Sequence, residues 1–244
     1  MLPGVTESLR RRTGEMNWRI ESMGSFSRNA RLIYHYFLYL IICFQYPLQL
    51  PRRFKSTLRS NIFHRIIGIV EHGAEFGGDT SRIVLMGNSA GANLAAVVTQ
   101  KAKQDGLVKK IKLQVLNGLP ADLSAQRMET SPSYQENASG YFLTKASCYF
   151  SMENYAPGVK NNPELSPILT KDISGLPPAV IISAEFDPLR DDAILYAGKL
   201  RKAGVKVWDK CFAGQIHMLL GLPPNAKEIK ELEAMVKDAM KECF

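Results

Sequence analysis

The chain has 244 residues, 45% hydrophobic and 22% charged. Those values fit one globular domain with a core of its own and exclude disordered, collagen-like and low-complexity classes. Four cysteines (Cys43, Cys148, Cys211, Cys243), none at Cys-x-x-Cys spacing, exclude a disulfide scaffold and argue against structural zinc. The net charge of +8 is spread over scattered basic residues with no nucleic-acid-binding motif beside them, so nucleic acid is not an expected partner.

The first 30 residues are polar and basic with little periodicity. Leu32–Phe44 is then a 13-residue apolar and aromatic run containing His35. Its length fits a buried strand or helix better than a full membrane span, which takes about 20 apolar residues. Six arginines precede it (Arg10, Arg11, Arg12, Arg19, Arg28, Arg31), the charge asymmetry of a signal anchor, so membrane association is a second expectation.

Pro47–Arg53 reads as a connector, and Ile62, Ile66, Ile69 and Val70 recur at helical spacing between Asn61 and Glu75. The stretch Phe76-Gly77-Gly78-Asp79 ends that helix. Arg82–Met86 reads as a buried strand, Ala92–Lys103 as an Ala-rich helix, and Lys112–Leu116 as the next strand. Residues 121–165 are polar and aromatic without strand signals, and suit a lid, a pocket insertion or plain helix packing. Ala179–Ala184 is another strand, and Ala193, Tyr196, Ala197 and Leu200 mark a helix that ends near Gly204. Val205–Trp208 is a further strand, and a last helix runs from Asn225 to Met240 with Ile229, Leu232, Val236 and Ala239 inward. Strands alternating with helices predict an α/β fold with a mainly parallel sheet. Ligands of such sheets bind beyond the carboxyl ends of the strands.

The chemistry is expected at Gly87-Asn88-Ser89-Ala90-Gly91, a Gly-x-Ser-x-Gly between strand and helix. There the serine sits on a sharp turn, glycines admit the close backbone approach, and the Ala90 N–H opens the helix toward a developing oxyanion. A serine hydroxyl needs a base, and the base needs an orienting carboxylate. Asp187 follows strand 179–184, and His217 is the one histidine beyond the last strand, in the loop 213–217. Asp191 and Asp192 read as first-turn complements to a helix dipole, and Asn137-Ala138-Ser139 reads as a glycosylation sequon.

Three motifs, GNSAGANLAA, ISGLPPAVIISAEFDPLRDD and GQIHMLLG, with the run EFGGDTSR before the first, resemble the hormone-sensitive-lipase family of α/β-hydrolases, in its arylacetamide deacetylase-like branch. The resemblance covers residue 60 to the C-terminus. It implies an α/β-hydrolase domain over 46–244 and a cofactor-free serine carboxylesterase acting on esters or arylamides, with Ser89, Asp187 and His217 in the catalytic positions. It also implies an endoplasmic-reticulum anchor; without one the expected place is cytoplasmic. The family's His-Gly-Gly-Gly oxyanion loop is missing, because His72-Gly73-Ala74 falls in the helix just before the nucleophile strand. Residues 1–45 therefore read as an altered or truncated N-terminus with its strands incomplete, and the alternative function is an impaired hydrolase remnant acting as a binding protein.

Overall fold

A computed structural model describes residues 38–42, 64, 67–156 and 161–244. Five parallel strands lie side by side in chain order: β1 (Leu38–Ile42), β2 (Ile83–Asn88), β3 (Ile111–Asn117), β4 (Ala179–Phe186) and β5 (Val207–Ile216). Residues 67–72 are helical before β2, and the helices after it are α1 (Ala90–Gln104), α2 (Ala125–Thr130), α3 (Pro132–Glu136), α4 (Lys145–Tyr155), α5 (Arg190–Lys202) and α6 (Lys227–Cys243).

Strands β2 and β4 carry the continuous apolar runs Ile83–Met86 and Ala179–Ile182 because both faces of the sheet are covered there. Successive side chains point to opposite faces. Ile83, Leu85, Ala179 and Ile181 therefore join one core with Ala92, Ala95 and Ala96 of α1 and Ala193, Tyr196 and Leu200 of α5. Val84, Val180 and Ile182 join the other, with Ile229, Leu232, Val236 and Ala239 of α6. Ala92, Ala95, Ala96 and Ala102 of α1 are fully buried, and their small size lets that helix lie close against the sheet beside the elbow.

Within the apolar run Leu32–Phe44, residues Leu38–Ile42 are a sheet strand, paired from Leu38↔Ile83 to Ile42↔Gly87. That agrees with the strand reading of these residues. No helix among the described residues is long and apolar enough to cross a membrane. The rest of the run, His35 and the arginine-rich segment lie outside the described residues. Strand β5 is longer than the expected Val205–Trp208 and reaches Ile216. It lies at the sheet edge, where the charged Asp209 and Lys210 are tolerated and mask the apolar signal.

Residues 121–165 hold the short helices α2, α3 and α4. Their apolar sides close on a separate small core of Met128, Tyr134, Cys148 and Met152, completed by Leu189 from the turn after β4.

Candidate active site

Strand β2 ends at Asn88 and α1 begins at Ala90, so Ser89 alone makes the turn. Its backbone sits at φ 53, ψ −120, a conformation that costs a non-glycine residue roughly 1–3 kcal/mol. Surrounding groups hold it there. The Ser89 N–H donates to the Asn117 carbonyl at 2.7 Å, and the Ser89 carbonyl accepts from Ala92 and Asn93 in the first turn of α1. Gly87 is required by space: a Cβ would lie 2.1 Å from the Gly91 carbonyl oxygen. The Ala90 N–H belongs to the first turn, where a helix offers its own donors no acceptor.

Asp187 follows β4 and is fully buried. Its Oδ1 accepts the Leu189 N–H at 2.9 Å, which fixes the carboxylate plane. Its Oδ2 lies 2.7 Å from His217 Nδ1. The other imidazole nitrogen, Nε2, lies 2.9 Å from Ser89 Oγ. Phe186 pairs with Ile216 across β4 and β5, so the residues after each partner, Asp187 and His217, leave adjacent strand ends together. His217 opens a tight turn rather than lying in a loop, and Met218 and Leu219 after it both have positive φ. The three residues named from the sequence are thus brought together at the carboxyl end of the sheet.

The remaining candidates lie elsewhere. His72 is solvent-exposed and bonds Glu75 at 2.9 Å, in the segment before β2, where it has no part in the serine site. Cys148 is buried, which pushes its thiol up to about 12 and removes it as a nucleophile. No group of His, Cys, Asp and Glu among the described residues is placed to hold a metal ion.

Several residues near the site escaped the sequence reading. Gly118 has φ +60, and a Cβ there would meet His217 Cε1 at 2.8 Å and Nδ1 at 3.0 Å, so the imidazole rests directly on its backbone. Asp192 does more than complement a dipole: it is buried and accepts from Ala121 N, Asp122 N and, at 2.6 Å, Arg127 Nε. Desolvation raises its carboxyl to about 6, against the opposing pull of Arg127. Asn137 is 3% exposed and bonds the backbone of the Asp187 turn, so the sequon is not a surface glycan acceptor. Of the aromatics in 121–165, Tyr134 is core, Tyr141 stacks on Phe186 at 4.7 Å, and Phe142 and Phe150 are exposed. The local signal for Gly118 was its place directly after a strand; the others carry none.

Residues 17–221 match a family model described as the alpha/beta hydrolase fold. The chain belongs to that family. Among the relatives of this alpha/beta hydrolase is an arylesterase of Saccharolobus solfataricus, 29% identical over 82% of this chain and 65% of that protein. The carboxylesterase NlhH of Mycobacterium tuberculosis is 41% identical over 56% of this chain and 43% of the relative. A solved mutant of the esterase rPPE superimposes with TM-score 0.68 at 33% identity, over 76% of this chain and 58% of the other. The chain therefore spans under two thirds of the length of each of these relatives.

Proposed function

We propose that this chain hydrolyses carboxylic esters through an acyl-enzyme, with Ser89 as nucleophile, His217 as base and Asp187 as the carboxylate that orients the base. The carrying observation is the unbroken line from Ser89 Oγ through the His217 ring to Asp187 Oδ2. Asp187 accepts a hydrogen bond from Nδ1–H, which leaves Nε2 as the acceptor for the serine proton.

Ser89 Oγ attacks the ester carbonyl carbon as its proton passes to Nε2. The carbonyl π pair moves onto oxygen, and the Ala90 N–H is the donor nearest that new charge. Collapse expels the alcohol, which takes its proton back from Nε2 and leaves the acyl group on Ser89. Water then repeats the sequence: it gives a proton to Nε2, adds to the acyl carbon, and releases the acid as Oγ is reprotonated. The names of the relatives, an arylesterase and a carboxylesterase, support an ester as substrate. Tyr141 stacked on Phe186, one residue from Asp187, supports an aromatic or apolar group on it.

Among the described residues Ala90 supplies one oxyanion donor, and each missing donor lowers turnover by about 10²–10³. Hydrolysis is therefore expected on activated aryl esters and weak on plain alkyl esters. The test is labelling by a fluorophosphonate probe: wild type is expected to label and Ser89→Ala is not. Equal labelling or equal hydrolysis in the two proteins rejects this mechanism.

A further inference from the structure

We infer that Asn137 and Ser133, brought by the short helix α3 and its cap, are positioning residues for Asp187, an inference that rests on the mechanism proposed above. Asp187 sits on a turn with no regular structure of its own, between β4 and α5. Its side chain is fixed by Leu189 N–H and His217 Nδ1, but those bonds set the carboxylate only if the backbone beneath it is fixed too.

That backbone is gripped from one side. The Asn137 Nδ2 amide donates to the carbonyls of Glu185 and Asp187, both at 3.3 Å. Ser133 Oγ donates to the Pro188 carbonyl at 2.7 Å, and Ser133 N–H donates to Asp191 Oδ2 at 2.8 Å. Ser131 Oγ adds a bond to the same Asp191 oxygen. Arg190 Nη2 reaches Glu136 Oε2 at 2.6 Å while its Nη1 donates to the Glu185 carbonyl. Leu189 meanwhile packs into the small core beside Tyr134 and Met128. The turn is thus bonded to residues 131–137 at positions on both sides of Asp187.

The dependence is mutual. A helix of five residues is far below the length that is stable alone, so α3 persists through these bonds and the burial of Tyr134. Asn137 is the most direct member because its donor meets the carbonyl of Asp187 itself. Without it the Glu185 and Asp187 carbonyls keep only their donors from Arg190, Nη1 and N–H, so the turn loses its direct tie to residue 137 and is free to shift. A displaced Asp187 stabilises the His217 imidazolium less and holds the ring less well against Ser89.

The experiment compares wild type, Asn137→Ala and Ser133→Ala on p-nitrophenyl acetate, with fluorophosphonate labelling rates and a pH profile of kcat/KM. Asn137→Ala is expected to lower kcat by about 10- to 100-fold with KM within about twofold. The acidic limb of its pH profile is expected to move to lower pH, because a free imidazole is then favoured. Ser133→Ala is expected to show a smaller change of the same kind. A folded Asn137→Ala with wild-type kcat and an unmoved acidic limb overturns the inference and leaves the Ser89 mechanism standing. If Asn137→Ala does not fold, Ser133→Ala decides by the same criterion. Absence of Ser89-dependent labelling in wild type overturns the mechanism and this inference together.

Discussion

Gly118→Ala tests the geometry of the base at the point where the backbone touches it. The new methyl group would stand 2.8 Å from His217 Cε1 and 3.0 Å from Nδ1. Unstrained carbon contacts begin at about 3.5 Å, so relief requires the ring or the loop to move by about 0.7 Å. The ring has little room to yield, since both its nitrogens are held, at 2.7 Å by Asp187 and 2.9 Å by Ser89. A shift of about 0.7 Å along either bond stretches it beyond about 3.2 Å, the ordinary limit for a nitrogen donor, and a shift across them bends both away from linearity. The backbone adds its own term: φ is +60, a left-handed conformation that costs an alanine about 1–2 kcal/mol. The expected result is a folded protein, about 2–3 kcal/mol less stable in urea, whose kcat on p-nitrophenyl acetate falls about 100-fold. The assay pairs burst kinetics with an equilibrium urea melt. A folded variant with kcat within threefold of wild type would show that His217 is not held by its contact with Gly118, and the positional reasoning would be wrong.

Gly87→Ala places a methyl 2.1 Å from a backbone carbonyl that has no freedom to move, so the elbow is expected to open and stability in urea to fall by about 3 kcal/mol or more. Asp192 makes a pH prediction. Its carboxyl is raised from 3.8 to about 6, so between those values the folded protein holds the extra proton. Stability from this group is therefore highest at low pH, falls by about 3 kcal/mol as pH rises toward 6, and is flat above. Urea melts of wild type and Asp192→Asn from pH 4 to 8 should show that slope in wild type only; parallel curves would rule it out. Plain ethyl esters should turn over far below a typical esterase's roughly 10 s⁻¹. Turnover at that level would mean that oxyanion donors beyond Ala90 act in this chain.

Local patterns were enough to read the interior strands β2, β3 and β4 and the order of the serine, the acid and the histidine. The interior strands β2 and β4 are buried on both faces, so the apolar runs Ile83–Met86 and Ala179–Ile182 are unbroken and stand out in the chain. The elbow carries its constraint in adjacent residues, Gly87 to Gly91, because the clash that selects glycine arises within one turn of chain. Strand β5 was underestimated because an edge strand carries charge where an interior one does not. What only the tertiary structure decided is everything whose partner lies far along the chain. Asp192 looks like any first-turn carboxylate until it meets Arg127, 65 residues away. Asn137 reads as a sequon until its amide reaches the carbonyl of Asp187, 50 residues on. Gly118 is an ordinary glycine after a strand until the His217 ring arrives against it. A side chain's role depends on which groups share its burial, and burial across such separations is set by the packing of the whole sheet and not by neighbouring residues.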